Sequence, residues 1–317
     1  MIEQNAFRTM KQITDTLLMI EPSSFGFNLD ASLTNSFQQA LKEFTPSQVQ
    51  DIALLEFRNA VNALREHGVE VVVMKDTPGS GTPDSIFPNN WFSTHIEGPL
   101  FTYPMAPMNR RKERREDIIS FLNETYRYKE HIKLEDFELQ NPPHFLEGTG
   151  SLVLDRQNRI AYAALSPRTM EQPLTGFYNR LQYSPLTFRA YGPTGELIYH
   201  TNVMMCVGET FAAVGLEIID EQDRGKVIDA LQDSGKEIIE LSQQQVHHCF
   251  AGNMLQVQNQ QGEKILVLSK TAFDSLTENQ LNKLNMHNDH LLPIPIHMIE
   301  KCGGGSIRCM LAEIFKP

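Results

Sequence analysis

One stretch near the end of the chain reads Lys301-Cys302-Gly303-Gly304-Gly305-Ser306-Ile307-Arg308-Cys309-Met310-Leu311. Its three consecutive glycines give a backbone that can adopt positive φ and that lets a ligand approach closely. The apolar residues after them predict a short final strand, with Cys309 at its mouth. A thiol held there can act as a nucleophile, but it needs a partner, because only a few per cent of an unassisted thiol is ionised at neutral pH. The alternative is a structural cysteine behind a glycine-rich turn, since free cysteine is among the most buried residue types.

Composition limits the classes of function. The chain has 317 residues, of which 41% are hydrophobic and 21% are charged, as is usual for a globular protein with a sizeable core. The net charge of −11 argues against a nucleic-acid partner, because such proteins bind phosphates through Lys and Arg. The one basic cluster, residues 110–115, opens a predicted helix and is expected to form a solvated face. No apolar run approaches the ~18 residues of a membrane span, and residues 1–11 show no targeting pattern.

The spacing of the four cysteines predicts neither disulfide bonds nor a metal site. They are widely spaced and match neither a disulfide scaffold nor a zinc motif: Cys206, Cys249, Cys302 and Cys309. A reducing cytoplasm with free thiols is therefore the predicted setting. The group His247-His248-Cys249 contains metal-ligating residue types, but no second ligand pair with matching spacing accompanies it, so no metal site is predicted.

A strand–loop–helix–strand order recurs along the chain. The first unit has a strand at residues 16–20, a helix start at Thr45-Pro46-Ser47-Gln48, and a strand at residues 69–75. That helix start is a capping box with proline at the first helical position. Later units begin with apolar runs at residues 86–93, 145–154, 198–205 and 254–257, the second unit closes with a strand at residues 131–137, and the strand after Cys309 closes the fifth.

These repeats predict one domain. Each of the roughly five ββαβ units is too small to bury its own faces, so units arranged around an axis would bury them against each other. No Pro/Gly/Ser-rich linker interrupts the chain. We therefore expect a single α/β domain over residues 1–317.

Polar residues recur where the first strands of these units begin or run. They are Asn89-Asn90, Glu147-Gly148, His200-Thr201-Asn202 and Asn253. In a ring of units, equivalent positions converge, so a cysteine, a histidine and a carboxylate would meet at one end. His200 can serve as general acid and as partner of the thiolate, because histidine titrates near neutral pH, and Glu147 can orient it. Each residue alone has a structural alternative, but their placement, one per unit, favours catalysis.

Four motifs carry a resemblance to a known superfamily. They are Phe145-Leu146-Glu147-Gly148, Leu165-Ser166-Pro167-Arg168-Thr169, Ile198-Tyr199-His200-Thr201-Asn202 and Gly303-Gly304-Gly305-Ser306-Ile307-Arg308-Cys309-Met310. In this order they resemble the pentein superfamily, which includes arginine deiminases, dimethylarginine hydrolases and glycine amidinotransferases. The resemblance covers nearly the whole chain. It implies a five-bladed α/β propeller of five ββαβ units around a pseudo-fivefold axis.

The resemblance also implies roles for individual residues. Cys309 would be the nucleophile, His200 the general acid/base and Glu147 its companion carboxylate. The thiolate would attack the central carbon of a guanidinium or related group without a cofactor, and water or an acceptor amine would resolve the covalent intermediate. Arg168, and either Arg110 or Arg111, match the clamp for a substrate carboxylate, which an Arg fork binds bidentately.

Two positions depart from the deiminase and amidinotransferase pattern. Asn90 stands where an aspartate usually follows the Phe-containing strand, and Asn202 stands where an aspartate usually lies two residues after the catalytic histidine. Because those aspartates hold a cationic guanidinium, two amides favour a neutral ureido group, whose carbonyl oxygen needs donors. The chain thus looks similar to the citrulline-utilising hydrolases, which cleave the ureido C–N bond to give ornithine, ammonia and carbon dioxide.

Alternatives stay open at this point. A deiminase or amidinotransferase acting on a guanidino group is the second hypothesis. A non-catalytic binding protein of the same fold is the third, and Cys309 with His200 argues against it. The predicted partner is a small amino-acid substrate, with neither nucleic acid nor membrane. The sequence leaves open a homo-oligomer, the choice between Arg110 and Arg111, and any role of Cys302, for which a structural thiol is favoured.

Overall fold

A computed structural model of the protein describes residues 10–317. The prediction that residues 1–11 carry no targeting pattern falls almost entirely outside this range. The strands in it are β1 (Thr16–Glu21), β2 (Glu70–Lys75), β3 (Phe92–Thr94), β4 (Pro99–Thr102), β5 (Glu130–Lys133), β6 (Val153–Asp155), β7 (Ile160–Ala164), β8 (Ser184–Phe188), β9 (Met205–Val207), β10 (Phe211–Val214), β11 (Glu237–Glu240), β12 (Leu255–Gln258), β13 (Lys264–Ser269), β14 (His290–Ile294) and β15 (Ala312–Glu313).

The helices in the same range are α1 (Leu29–Ser32), α2 (Pro46–Glu66), α3 (Glu116–Tyr126), α4 (Gly148–Ser151), α5 (Glu171–Leu181), α6 (Glu221–Asp233), α7 (Gln243–Cys249), α8 (Lys270–Ser275), α9 (Glu278–His287) and α10 (His297–Gly303). The capping boxes predicted at Thr45 and Thr277 are present at the starts of α2 and α9, with both reciprocal hydrogen bonds formed. A side-chain cap of this kind satisfies backbone N–H groups that the helix itself leaves free.

The strands form five three-stranded sheets of one design. In each sheet the middle strand pairs antiparallel with one neighbour and parallel with the other, and helices connect the parallel pair. The sheets are β15-β1-β2, β3-β4-β5, β6-β7-β8, β9-β10-β11 and β12-β13-β14. The predicted α/β class and the repeated unit are therefore confirmed.

Strand β15 belongs to the first sheet, so its predicted place in the fifth unit is wrong. It pairs antiparallel with β1, with Leu17 opposite Glu313. The fifth sheet is instead completed by β14, which lies parallel to β13. The physical reason is that β1 has an edge that no nearby segment fills, and the end of the chain satisfies the exposed N–H and C=O groups there.

The predicted starts of several units are also wrong in detail. Where the sequence predicts continuous strands, one helical turn comes first and only a three-residue strand follows. The turns are Pro88–Asn90 before β3, α4 before β6 and Thr201–Val203 before β9, and a similar turn, Ile307–Met310, precedes β15. Cys309 therefore lies in a helical turn and not at the mouth of a strand. The strand predicted at residues 131–137 likewise ends at Lys133, and a helical turn, Glu135–Leu139, follows.

The core lies between the sheets and their helices. Helix α2 buries Val49, Ala53 and Phe57 on one face, and burial of such side chains contributes about 1.5–3 kcal/mol for each large one. The middle strands β4, β7, β10 and β13 are almost entirely buried. Within residues 10–317, none of the helices has both the length and the apolarity that crossing a lipid bilayer requires.

Candidate active site

The short helical turns bring the predicted catalytic residues together. Helix α4 packs between the turns that carry Asn90 and His200, and this close approach depends on Gly150. A Cβ atom at Gly150 would lie 2.3 Å from Asn90 Nδ2 and 2.7 Å from His200 Nδ1. Because such a contact is impossible, only glycine lets α4 approach closely enough for Glu147, at its N-terminus, to reach His200.

Glu147 and His200 form a buried hydrogen-bonded pair. His200 Nε2 lies 2.8 Å from Glu147 Oε2, and the two residues are 1% and 0% exposed. An ionised carboxylate only accepts hydrogen bonds, so Nε2 carries the proton and Nδ1 keeps a lone pair. Burial lowers the pKa of His200 to about 4, although Glu147 opposes that shift. At neutral pH, His200 is therefore a neutral base with Nδ1 free to take a proton.

Glu147 is held ionised by its surroundings. Burial opposes ionisation, but the charge of Arg168 and the hydrogen bond from His200 outweigh it and lower the pKa of Glu147 to about 2. Arg168 Nη1 lies 3.5 Å from Glu147 Oε2, and Arg110 Nη1 lies 3.9 Å from the same oxygen. The backbone N–H of Ala106 donates to Oε1 at 3.0 Å. Glu147 therefore stays a carboxylate that orients His200.

Cys309 is buried against amide side chains. Its Sγ lies 3.4 Å from Asn202 Nδ2 and 3.3 Å from Asn253 Nδ2, and the residue is 3% exposed. Within the described part of the chain, residues 10–317, Asn202 Oδ1 has no hydrogen-bond partner. Asn202 lines a second cavity, of about 30 Å³, and not the cavity that Cys309 borders. The structure thus places Asn202 behind the sulfur, whereas the sequence predicts it beside the substrate.

The two candidate arginines, Arg110 and Arg111, are neighbours in one short helical turn, Asn109–Glu113. Arg110 is buried and donates to Asn90 Oδ1 at 2.8 Å and to both oxygens of Glu113 at 2.9 and 2.8 Å. Arg111 points elsewhere: its Nε donates to the Met105 carbonyl at 3.0 Å. Of the two, Arg110 lies at the site.

A small cavity connects these groups. Its volume is about 10 Å³, which is the space that one water needs. Twelve residues line it: Asn35, Asp84, Phe87, Asn90, Arg110, Arg168, Tyr199, His200, Gly303, Gly304, Gly305 and Cys309. An amino-acid substrate is far larger than a water, so the structure shows the site closed.

A covering segment, residues 28–39, closes the site. Asn28 donates to Asp84 at 2.7 Å and Thr34 accepts from Arg168 Nε at 2.8 Å. Asn35 and Gln38 donate to the carbonyls of Gly304 and Gly303 at 3.2 and 2.9 Å. These hydrogen bonds hold the segment over the cavity. Gly304 has φ of 61°, so the glycine run does supply the positive φ that the sequence suggested.

Comparison with protein families identifies the chain. A family model described as "N,N dimethylarginine dimethylhydrolase, eukaryotic" matches residues 21–316. The chain belongs to this family. The family is part of the pentein superfamily of guanidino-modifying enzymes, as the sequence motifs indicated, and the protein is a hydrolase of non-peptide C–N bonds. A search among curated proteins gives no match.

Several solved structures share the fold of this chain. The N-terminal domain of ArgZ, an arginine dihydrolase from the ornithine-ammonia cycle in Cyanobacteria, was solved as a cysteine-to-serine variant bound to substrate. It is 15% identical, with a TM-score of 0.72 over 95% of this chain and 98% of that chain. A cysteine-to-alanine variant of AgrE with L-arginine is 16% identical, with a TM-score of 0.73 over 95% of this chain and 40% of that chain.

A dimethylarginine dimethylaminohydrolase is also similar. It was solved as a histidine-to-glycine variant in an adduct with S-methyl-L-thiocitrulline, and it is 15% identical, with a TM-score of 0.65 over 95% of this chain and 100% of that chain. At these identities the likeness concerns the fold. Among residues 10–317, no group of three or more His, Cys, Asp or Glu side chains is placed to hold a metal ion.

Asp84 lines the candidate site, and sequence reasoning missed it. It is 2% exposed, lines the cavity and lies 3.8 Å from Arg110 Nε. Burial raises the pKa of this carboxyl. Asp84 is in a loop before the turn Pro88–Asn90, and nothing in the spacing of that loop marks it. With Arg168 on the same cavity, Asp84 provides one negative and one positive group for a zwitterionic ligand.

The state of His200 predicts the acid side of the pH profile. The neutral form of His200 is the base, and burial lowers the pKa of His200 to about 4. The value of kcat/KM should therefore stay nearly constant from neutral pH down to about pH 5 and decrease only below it. An ordinary histidine would lose half its base form near pH 6.5. The check is kcat/KM against pH for the amino-acid substrate. An acid limb centred near 6.5 would mean that His200 is not buried as described.

Proposed function

We propose that the protein hydrolyses the ureido C–N bond of citrulline, or of a related ureido amino acid, to ornithine, ammonia and carbon dioxide. One observation carries the proposal. Asn90 lines the cavity with Oδ1 held by Arg110 at 2.8 Å, while its buried Nδ2 has no hydrogen-bond partner among residues 10–317. Since arginine only donates, this orientation of the amide is fixed. A free N–H donor suits the carbonyl oxygen of a ureido group, whereas a guanidinium offers only further donors.

The proposed reaction uses Cys309 and His200, which both border the cavity. His200 Nδ1 takes the proton of Cys309, and the sulfur adds to the ureido carbon while the C=O electron pair moves to oxygen. The oxyanion collapses, the bond to the δ-nitrogen breaks, and His200 protonates the departing ornithine amine. This leaves a carbamoyl group on Cys309. Water, deprotonated by His200, then adds to that carbon and expels the thiolate, and the resulting carbamic acid gives ammonia and carbon dioxide.

Charged side chains on the cavity suit the amino-acid end of the substrate. Arg168 Nε is bonded to Thr34, and Arg168 lies 5.2 Å above the centre of the Tyr199 ring. When the covering segment opens, this donor becomes available for an α-carboxylate, which arginine binds well. The same opening removes the hydrogen bond that Asn28 donates to Asp84, so the Asp84 carboxylate can then accept one from the α-ammonium group. The substrate therefore replaces contacts that the segment makes in the closed state.

The proposal includes the arrangement of the five sheets as blades of a propeller around one axis. Their common topology supports it, and so does the pairing of β15 from the end of the chain with β1 from its beginning. Such a pairing holds the first and last parts of a ring together. The site residues come from the turns before β3, β6, β9 and β15, which in a propeller lie near the axis.

A guanidino-group enzyme is the second candidate. The deiminase and amidinotransferase alternatives begin with the same attack by Cys309 on a central carbon. Asp84 favours them, because a carboxylate at the cavity can hold a cation. Structural neighbours described as an arginine dihydrolase and a dimethylarginine dimethylaminohydrolase also favour this candidate. Against it, the carboxylates of Glu113 and Glu147 already form ion pairs with Arg110 and Arg168, so they are not free to pair with a guanidinium.

The substrate preference of Asn90 variants separates the two candidates. The wild type should turn over citrulline to ornithine and ammonia with a higher kcat/KM than arginine. The Asn90→Asp variant should lower the citrulline-to-arginine ratio of kcat/KM about 10- to 100-fold, since one hydrogen bond to a charged group is exchanged. The double variant Asn90→Asp, Asn202→Asp should shift the ratio in the same direction.

Asn202→Asp alone is the matched control. It puts a carboxylate beside Cys309 Sγ, which Asn202 Nδ2 contacts at 3.4 Å, so turnover of both substrates should fall with little change in their ratio. If the wild type prefers arginine, or if Asn90→Asp leaves the ratio unchanged, the ureido proposal is wrong and the guanidino candidate replaces it.

A further inference from the structure

Asn253 contacts Cys309 but does not line the cavity that Cys309 borders. It lies between α7 and β12 and is 0% exposed. Its Nδ2 lies 3.3 Å from Cys309 Sγ and 2.9 Å from the Asn202 carbonyl oxygen, and its Oδ1 accepts the Arg308 N–H at 3.0 Å. Both hydrogens and the oxygen of the amide are therefore engaged.

The orientation of this amide follows from its partners. A backbone N–H can only donate and a backbone C=O can only accept, so the Arg308 N–H selects Oδ1 and the Asn202 carbonyl selects Nδ2. The second hydrogen of Nδ2 is then left for the sulfur. Asn253 thus connects the backbone beside the nucleophile, the turn that carries Asn202, and the sulfur itself.

Among residues 10–317, the side-chain donors that contact Sγ are the two amides Asn202 and Asn253. The charged and titratable groups that share the cavity with the sulfur are Asp84, Arg110, Arg168, Tyr199 and His200, with Glu147 behind His200. The two arginines are bonded to carboxylates or to the covering segment. His200 is neutral and donates to Glu147, so it supplies no positive charge to a thiolate before the reaction starts.

We propose that Asn253 is a catalytic residue, whose Nδ2–H, together with that of Asn202, stabilises the thiolate of Cys309 and aims it at the substrate carbon. Sγ also lies 3.7 Å from Asn253 Oδ1, but that oxygen already accepts the Arg308 N–H at 3.0 Å. An ionised acceptor strengthens a hydrogen bond about twofold, so the shorter contact, with Nδ2, favours the thiolate over the thiol. The inference rests on the proposed function only in taking Cys309 as the nucleophile. It does not depend on whether the substrate is ureido or guanidino.

Alkylation of the thiol tests the inference without any substrate. The full-length protein is treated with iodoacetamide at a series of pH values, and mass spectrometry of the peptide that contains Cys309 gives the rate at that residue alone. In Asn253→Ala, the pH of half-maximal rate should rise by about one unit, as expected for loss of one hydrogen bond to a charged group. The isosteric Asn253→Asp should raise it further, because a carboxylate then faces the sulfur.

Activity and folding complete the test. Both variants should lower kcat/KM about 10- to 100-fold, in proportion to the thiolate lost. Asn158→Ala is the control, since Asn158 makes three hydrogen bonds to Asp155 in a turn but none to the site. It should leave the alkylation profile unchanged. Thermal unfolding verifies that each protein is folded. If Asn253→Ala does not fold, Asn253→Asp replaces it in the test, because its carboxylate can still accept the Arg308 N–H.

The outcomes separate this inference from the proposed function. If the Asn253 variants lose activity while the alkylation profile of Cys309 stays in place, Asn253 only supports the fold and the inference is overturned. If the profile moves as expected but the wild type does not hydrolyse citrulline, the role of Asn253 stands and the ureido proposal fails.

Discussion

Replacement of Cys309 by serine is expected to abolish turnover, with kcat lower by on the order of 10⁴- to 10⁶-fold, as for other nucleophiles of covalent catalysis. A serine hydroxyl is a much weaker nucleophile than a thiol, because almost none of it is ionised at neutral pH and its oxygen is less polarisable than sulfur. The change is nearly isosteric, so the melting temperature should change little. The measurement is kcat for ornithine release together with thermal unfolding.

Cys302→Ser is the matched control for this prediction. Cys302 is 2% exposed near the end of α10, and burial raises the pKa of its thiol to about 11. At neutral pH this thiol is protonated and packs in the apolar core formed with Ile299 and Phe25. The serine variant should keep nearly full kcat. If Cys302→Ser were inactive and Cys309→Ser active, the assignment of the nucleophile would be reversed.

Local patterns in the sequence predict much of this fold. The capping boxes at Thr45 and Thr277 mark helix starts because their hydrogen bonds join residues only three apart. The recurrence of five units was visible because each contains its own helix and strands. The pairing of β15 with β1 was not, because it joins residues at opposite ends of the chain, and apolar residues alone do not specify a partner strand.

The helical turns at the starts of the units are where the strands predicted from the sequence differ most from the structure. Apolar residues flank each turn, as they would in a buried strand, although Pro88-Asn89-Asn90 inside the first turn are residue types that strands disfavour. The turns form because they pack against each other, and such tertiary contacts override local propensity. Candidate site residues concentrate in these turns: Asn90, His200 beside one, and Cys309.

The candidate site was predictable where a motif carries it and hidden where distant segments meet. Glu147, His200 and Arg168 were identified from motifs, and the structure brings them together. Asp84 and the covering segment were missed, because their contacts join segments that are far apart in the sequence. The choice between Arg110 and Arg111 depended on which side of one helical turn faces the cavity, and adjacent identical residues cannot reveal that.

Replacement of Glu147 is expected to lower kcat nearly as much as replacement of Cys309. Glu147 receives the Nε2–H of His200 at 2.8 Å and thereby keeps the lone pair on Nδ1. A glutamine in its place can present its NH₂ group to the ring, and the histidine would then hold the wrong tautomer. The buried charge of Arg168, 3.5 Å from Glu147, would also lose its partner, at a cost of about 3–5 kcal/mol in stability.

Glu147→Gln is therefore expected to lower kcat by on the order of 10³- to 10⁴-fold, the range seen when the carboxylate that orients a catalytic histidine is replaced by an amide. Glu138→Gln is the control, because Glu138 pairs with Arg114 and Arg111 and does not line the cavity. It should cost stability without a comparable loss of kcat. Both variants are assayed well below their melting temperatures, so that unfolding does not contribute. A loss of less than about tenfold in Glu147→Gln, or an equal loss in Glu138→Gln, would show that Glu147 does not fix the tautomer of His200.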